Sequence, residues 1–178
     1  MRKKIFIYYV ILIFIGVSFT GFLASHLTRR LYEHEVIERL KITADLIEHQ
    51  LSDYRARGIP FNYDNMATKY ADILNLSTDG DSYPSHRIAR ITFIDTNGNI
   101  LGESGINYEG MENHASRREV QQALKGSVGT DKRFSSTLKM DFIYLAVPLE
   151  ATGSILRVAV PLTQLKVINR IILRYSLL

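Results

Sequence analysis

The chain has 178 residues, 46% hydrophobic and 22% charged, which supplies one domain with an ordinary core once a membrane segment is set aside. It contains no cysteine, and this excludes a disulfide scaffold, a thiol nucleophile and a thiolate metal site. Its net charge of +4 is scattered in short clusters, so we expect a solvated basic surface and no nucleic-acid partner.

A membrane anchor is the first predicted element. Residues 5–24, which follow the basic start MRKK, carry no charged side chain. A helix of this length rises about 30 Å, the thickness of a bilayer hydrocarbon core. The long apolar run and the bulky Phe22 near its end favour an uncleaved anchor over a signal peptide. We therefore predict a cell-membrane protein, single-pass or the start of a two-pass chain, with residues 1–24 as cytoplasmic start and anchor and the part of the chain after Ala24 extracytoplasmic.

Residues 25–60 are predicted to form a long membrane-proximal helix, because Gly58 and Pro60 are the first helix breakers after the anchor. Its apolar positions follow the heptad spacing of a coiled-coil seam: Ile37, Leu40, Ala44, Ile47, Leu51 and Tyr54. This seam predicts a homodimer through the helix. A single amphipathic helix lying on a monomeric core is the open alternative. A second apolar stripe that includes Leu46 would let the helix contact its own domain and a partner at once.

The next part, residues 61–163, is predicted to be one domain that begins with a shorter helix over residues 61–78. The inward side chains of this helix share a helical spacing: Met66, Tyr70, Ile73 and Leu74. The period then changes to strict alternation, which predicts a β-hairpin of residues 88–95 and 99–103. Asn97-Gly98 is a strong two-residue hairpin turn, because both positions tolerate positive φ.

A second helix is predicted around residues 116–126. Ser116 and Glu119 fit a capping box, in which each side chain accepts a hydrogen bond from the other residue's backbone N–H. Gly126 can supply the left-handed stop. Three apolar side chains would form its buried face: Val120, Ala123 and Leu124.

The four letters AVPL occur twice, at residues 146–149 and 159–162, which we interpret as two adjacent antiparallel strands. A four-residue turn over 150–153 sets their register: Leu149 opposite Ser154, Val147 opposite Leu156, Leu145 opposite Val158 and Ile143 opposite Val160. One face is then wholly apolar, and a one-residue slip would bury Arg157 among these side chains. Pro148 needs an edge or unpaired position, and Pro161 suits a strand end, because proline has no N–H to donate.

Residues 164–178 become steadily more apolar and are expected to start an outgoing helix or a second transmembrane span. Since the second AVPL strand leads into this segment, a change in sheet packing would be passed on through Pro161, Leu165 and Ile168, the predicted signal-output residues.

No catalytic motif is recognisable. The stretch from His34 to Glu38 resembles the zinc-protease motif HExxH without its second histidine, and no glycine-rich phosphate loop occurs, so we expect neither a metal site nor a cofactor. The candidate ligand contacts are polar side chains near the second helix start and on the paired strands: His114, Arg117, Tyr144 and Arg157. Simple solvent exposure is the open alternative for Arg117 and its neighbour Arg118.

Two stretches carry a family resemblance: NHASRREVQQALKGSVGTDKRFSSTLKMDFIYLAVPL at residues 113–149 and ILRVAVPLTQL at residues 155–165. They resemble the extracytoplasmic region of membrane sensor histidine kinases of the phosphate-regulon and cell-wall-sensing types. The resemblance implies an α+β chain in which a transmembrane helix continues into a long helix, followed by a PAS-like or Cache-like five-stranded antiparallel sheet flanked by helices. The chain departs from the family at Arg118, where the family often has proline.

By this resemblance we expect the extracytoplasmic signal-input module of a two-component sensor histidine kinase. Residues 1–178 hold no phosphoacceptor helix and no ATP-binding motif, so no catalytic activity is expected in them, and a response regulator would be reached only through a kinase part. The expected partners are the membrane, a second copy of the chain, and a small ligand, a cell-wall fragment or a membrane partner protein. A membrane-anchored binding module without signalling output and a chemoreceptor-type sensor domain are the alternatives.

Overall fold

Three helices and five strands form the part of the chain that the computed structural model describes, which is residues 2–77, 89–105, 112–135 and 140–162. In chain order the elements are α1 (Arg2–Ala56), α2 (Tyr63–Ser77), β1 (Arg90–Ile94), β2 (Ile100–Glu103), α3 (Arg118–Leu124), β3 (Gly129–Ser135), β4 (Met140–Leu149) and β5 (Ser154–Pro161). The strands form one sheet in the order β2-β1-β5-β4-β3, and every neighbouring pair is antiparallel. The predicted α+β architecture, an apolar N-terminal helix followed by a PAS-like sheet, is confirmed.

Helix α1 continues without a break from the apolar segment into the membrane-proximal segment, as the sequence predicts. By length and composition α1 can cross a membrane, and among the described residues it is the one helix that can. The large apolar side chains of residues 5–23 are all exposed. The chain divides into two compact units, and the unit Ile37–Thr163, which contains the sheet, includes the last part of α1.

The predicted dimer seam on α1 is largely used within its own domain. Four of its six side chains are at most 2% exposed in the single chain: Leu40, Ala44, Ile47 and Leu51. Ile37 and Tyr54 are half-buried. The assignment of the four central residues to a partner surface is corrected, because their own core already buries them; the homodimer itself stays a prediction. On α1 within the same unit, Ile42 and Leu46 are 60% and 59% exposed.

Polar contacts hold α1 in place at two points. Glu48 Oε1 accepts a hydrogen bond from the backbone N–H of Ala151 at 2.8 Å, and Arg55 donates to the carbonyl of Ala151, so the β4–β5 turn is fastened to the helix. Gln50 accepts a hydrogen bond from the hydroxyl of Tyr70 in α2. Because apolar burial is non-directional, these contacts set the position of this part of α1 relative to the β4–β5 turn and to α2.

The predicted register of β4 and β5 is confirmed at all four pairs: Leu149–Ser154, Val147–Leu156, Leu145–Val158 and Ile143–Val160. Gly153, at φ +67°, closes the turn by donating to the carbonyl of Leu149 at 2.9 Å. Pro148 pairs with β5 but lies past the end of the β3 ladder, so it stands at a local edge, as predicted. Pro161 is the last residue of β5.

Two buried-face predictions for the helices need correction. In α2, Met66 and Tyr70 are buried as predicted, but Ile73 is exposed. The alanines Ala67 and Ala71 take its place, because small side chains on the inward face let a helix approach the sheet closely. In α3, Val120 and Ala123 are buried and Leu124 is exposed.

The β1–β2 hairpin forms, but its turn has three residues where the sequence predicts two. The N–H of Asp95 donates to the carbonyl of Asn99 at 2.8 Å, and Gly98 has φ +87°. The carboxylate of Asp95 accepts hydrogen bonds from the backbone N–H groups of Asn97 and Asn99, each at 2.8 Å, and thereby favours the longer turn. A β-bulge next to Phe93 absorbs the additional residue.

Candidate functional site

Among the described residues, helix α3 packs against only part of one face of the sheet. Helix α3 has seven residues, about 10 Å, whereas β4 has ten residues, about 33 Å. The helix packs through Val120 and Ala123 in a cluster with Ile94, Ala146 and Ile155. On the same face lies a cleft of about 370 Å³.

The four side chains predicted as ligand contacts all line this cleft: His114, Arg117, Tyr144 and Arg157. They come from the loop before α3, from the N-cap of α3, from β4 and from β5. The other lining residues are Arg90, Glu112, Arg133, Phe134, Ser135, Phe142 and Ala159. The fold therefore brings the predicted set together, while their binding of a ligand stays a prediction.

Two arginines of the cleft, Arg90 and Arg133, are not predicted from the sequence. Arg90 lies opposite Ala159 in the β1–β5 ladder, and Arg133 lies opposite Phe142 in the β3–β4 ladder. Directly paired residues share a face of the sheet, so both arginines join the face that carries Arg157. Arg90 stands between the apolar Ala89 and Ile91 in the sequence, but the strand order is needed to place either arginine on this face.

Glu119 of α3 is the fully buried anion behind the cleft. Its Oε1 accepts hydrogen bonds from Arg157 Nε at 2.9 Å and from Arg133 Nη2 at 2.8 Å. Burial alone raises the pKa of this carboxyl, but the charge and hydrogen bond of Arg157, together with the charge of Arg133, bring the pKa below its ordinary value. Glu119 is therefore ionised at neutral pH and neutralises part of the arginine charge.

The predicted capping box between Ser116 and Glu119 is wrong. Helix α3 has Arg117 at its N-cap and no side-chain hydrogen bond there. The carboxylate instead pairs with two guanidinium groups, because an ion pair adds a charge–charge attraction that a hydrogen bond from a neutral backbone N–H lacks. The predicted stop is confirmed, since Gly126 follows the helix at φ +82°.

Arg157 is buried on its own face of the sheet and is held from two sides. Burial lowers the pKa of its guanidinium, while the charge of Glu119 raises it. The guanidinium carbon lies 4.5 Å from the ring centroid of Tyr144, and that of Arg133 lies 4.2 Å from the same centroid. Tyr144 therefore supplies cation–π contacts that orient both arginines.

Arg90, which also lines the cleft, forms an ion pair with a second buried carboxylate, that of Glu103. Its Nε donates to Glu103 Oε1 at 3.0 Å, and the hydroxyl of Thr92 donates to Glu103 Oε2. The side chain of Glu103 is fully buried, whereas that of Arg90 is 31% exposed. The acid thus holds the stem of Arg90 against the sheet while part of the side chain faces solvent.

The loop that carries His114 rests on the β1–β2 turn. The backbone N–H of His114 donates to the carbonyl of Gly98 at 2.9 Å, and Asn113 Nδ2 donates to the carbonyl of Asn97 at 2.8 Å. A Cβ at Gly98 would overlap Asn113 and Ala115, so glycine is required here for close approach as well as for its positive φ. The hairpin turn therefore positions one edge of the cleft.

His114 is neutral in this setting. Its Nδ1 lies 2.8 Å from the carbonyl of Glu112, which can only accept, so Nδ1 carries the proton. Burial lowers the pKa of His114, and the charges of Arg157, Arg117 and Arg90 lower it further, against the opposing effect of the carbonyl. The imidazole adds no positive charge to the cleft at neutral pH.

Arg117 differs from the other arginines of the cleft, because its guanidinium has no hydrogen-bond or ion-pair partner among the residues that the structure describes. Its backbone is held, since the N–H of Arg117 donates to the carbonyl of His114 at 3.0 Å. The arrangement offers anchored guanidinium groups, one of them unpaired, around a small cavity. Such a set can hold an oxyanion by charge-assisted hydrogen bonds.

Of the predicted signal-output residues, Pro161 ends the strand that carries Arg157, while Leu165 and Ile168 lie outside the described residues. Within the described ranges no group of three or more His, Asp or Glu side chains is placed to hold a metal ion.

No protein-family model matches the chain, and no curated protein matches it either. Among solved structures, the sensor domain of the V. cholerae histidine kinase DctB is similar at a TM-score of 0.40 and 19% identity, covering 55% of this chain and 37% of that one. A domain of a sensory box/GGDEF family protein from Vibrio parahaemolyticus is similar at a TM-score of 0.41 and 12% identity, covering 72% of this chain and 54% of that one. The chain thus matches about a third to a half of the length of these structures, and at these TM-scores the likeness adds nothing to the fold derived from the strand order.

Proposed function

We propose that this chain is the signal-input module of a membrane-anchored receptor and that the cleft receives its stimulus. The observation that carries the proposal is the place of the cleft on β5. Arg157 lines the cleft, and four residues later the same strand ends at Pro161. A ligand that contacts Arg157 therefore acts directly on the strand that leads towards residues 164–178.

More specifically, we propose that the parent protein is a two-component sensor histidine kinase of the phosphate-regulon or cell-wall-sensing type, with a Cache-like extracytoplasmic domain. An apolar helix able to cross a membrane, a PAS-like strand order and the resemblance of residues 113–149 support it. The kinase part would lie outside these 178 residues, and the response regulator would be reached through it. Leu165 and Ile168 would then belong to the segment that carries the output.

The proposal includes a homodimer, but through a different face of α1 from the heptad seam. Leu40 and Ile47 of the seam are buried in their own core, whereas Ile42 and Leu46 are exposed on the same helix. A second copy would therefore pack on the side of Ile42 and Leu46.

The orientation is tested by fusing alkaline phosphatase after Gly58, which follows the end of α1. We expect an active fusion, because the phosphatase folds only outside the cytoplasm. A matched fusion after Lys4, before the apolar segment, should be silent. The reverse pattern would contradict an extracytoplasmic domain.

The signalling role is tested by joining the full 178-residue chain to the cytoplasmic half of a histidine kinase that drives a reporter gene. We expect Arg117→Gln to change the reporter output, because it alters the cleft, and Arg118→Gln to leave it unchanged, because Arg118 is exposed and is not among the lining residues. Replacing Pro161 by Gly-Gly should weaken the output, since it loosens the link after β5. Equal output from all of these proteins would contradict an input module.

A further inference from the structure

We infer that the cleft binds a small organic acid with a single negative charge, its carboxylate held by the arginines and its apolar body lying against the aromatic wall. The inference names the ligand class for the proposed input module and rests on that proposal for its biological meaning. It follows from the charge balance, the size and the lining of the cleft.

The charge balance of the inner wall favours a monoanion. Four guanidinium groups line the cleft: Arg90, Arg117, Arg133 and Arg157. Three carboxylates are ion-paired to them: Glu103, Glu119 and Asp131. Four positive charges against three negative charges leave one positive charge, and His114 is neutral. The remaining lining acid, Glu112, is exposed, so water and salt screen its charge.

The unpaired charge belongs to one residue. Arg133 already donates to Glu119 and, at 3.2 Å, pairs with Asp131. Arg157 shares the carboxylate of Glu119. Arg117 has no such partner in the described part of the chain, so its planar donors are free for a bidentate bond to a carboxylate. A dianion would place two negative charges where the wall has one uncompensated positive charge.

The size of the cleft indicates a small ligand. Its volume of about 370 Å³ lies near the lower end of the roughly 300–1,000 Å³ that small-molecule sites occupy. A polymer would therefore leave most of its length outside.

The aromatic wall indicates that the ligand has an apolar body. Phe134 lines the cleft while 58% exposed, and Phe142 stands beside Tyr144 with the ring centroids 6.1 Å apart. The ring of Tyr144 is already occupied by guanidinium contacts and Phe142 is only 2% exposed, so Phe134 supplies the free apolar surface of the cleft. An inorganic anion would leave this surface in water, whereas an organic acid covers it.

The test is calorimetric titration of the full chain in lipid nanodiscs with defined probes. Benzoate and hexanoate are the monocarboxylates with an apolar body; succinate, inorganic phosphate and benzylamine are the comparison probes. We expect benzoate or hexanoate to bind at least about tenfold more tightly than succinate or phosphate, because their apolar body is buried in the cleft and burying about two CH2 groups supplies this ratio. Benzylamine should not bind.

Variants at two adjacent arginines make the test specific. Arg117→Gln should lower the affinity for benzoate by about tenfold, and Arg117→Lys by less, because lysine keeps the charge and loses the planar fork. Arg118→Gln, the matched exposed control, should change the affinity by less than about twofold. Circular dichroism of each variant reports whether it folds, and Arg117→Lys keeps the test decisive if Arg117→Gln does not.

The result that overturns the inference is tighter binding of phosphate or succinate, no binding of either monocarboxylate, or equal effects of Arg117→Gln and Arg118→Gln. The reporter fusion separates this failure from failure of the proposed function. If no monocarboxylate binds while Arg117→Gln still changes the reporter output, the ligand class is wrong and the input module stands. If benzoate binds through Arg117 while the output never changes, the ligand class stands and the module does not signal.

Discussion

Replacing Glu119 by glutamine should destabilise the sheet domain more than any exposed charge change. The carboxylate is fully buried and accepts hydrogen bonds from Arg157 at 2.9 Å and Arg133 at 2.8 Å. The side chain of Arg157 is 9% exposed and would be left as a buried charge without a counter-ion, whereas Arg133 is 29% exposed and keeps Asp131. Breaking a buried pair in this way costs about 3–5 kcal/mol, and nearly all of it should come from Arg157.

The expected loss is a large share of the total free energy of unfolding, which is only about 5–15 kcal/mol for a typical domain. It is measured by urea titration of the full chain in detergent micelles. Since the chain has ten tyrosines and no tryptophan, near-ultraviolet circular dichroism of the tyrosines, including Tyr144 under its two guanidinium groups, reports the unfolding. Glu112→Gln is the matched control, because this exposed acid lines the same cleft without an ion pair in the described residues.

The reasoning fails if Glu119→Gln costs less than about 1 kcal/mol, the usual worth of an exposed ion pair. It also fails if Glu119→Gln and Glu112→Gln shift the urea midpoint equally. Either result would mean that water reaches the guanidinium of Arg157 in spite of its burial.

Three further predictions follow from burial and charge. Ile47→Ala should cost about 2–5 kcal/mol by urea titration, because Ile47 is fully buried; a loss below about 0.5 kcal/mol, the usual effect of a surface substitution, would contradict the core position of α1. Gly129→Ala should cost about 1–3 kcal/mol, because its methyl group would overlap the carbonyl of Glu119; an unchanged midpoint would contradict this close approach. The pKa of His114 is lowered in the folded protein, so its contribution to stability is complete above pH 6.5 and is lost as the pH falls through the pKa of the folded state. The wild type should therefore lose more stability on mild acidification than His114→Gln. Parallel pH profiles of the two proteins would refute this prediction.

Local patterns predict most of the architecture correctly, because they depend on short-range rules. The pairing of Val147 with Leu156 follows from the length of one turn and the alternation of apolar side chains. The stop at Gly126 and the strand end at Pro161 follow from backbone chemistry at single residues. These rules need no knowledge of the neighbours in space.

The failures lie where a distant group competes with a local rule. Ser116 and Glu119 have the spacing of a capping box. The carboxylate of Glu119 nevertheless accepts a hydrogen bond from the guanidinium of Arg157, and no side-chain hydrogen bond caps the helix start. The heptad positions Leu40 and Ile47 are compatible with a partner helix or with the core of their own domain, and the structure buries them within the single chain. Periodicity identifies an apolar face without saying what covers it.

The sequence by itself determined the apolar helix, the helix and strand periods and the register of the last two strands, since each depends on residues that are near in the chain. It also identified four polar side chains as candidate ligand contacts: His114, Arg117, Tyr144 and Arg157. Only the tertiary structure decided that these four meet Arg90 and Arg133 around one cleft, and that Glu119 is its buried counter-ion. The physical reason is that charge pairing in a low-dielectric interior depends on distances across strands and helices, which the linear order of residues does not contain.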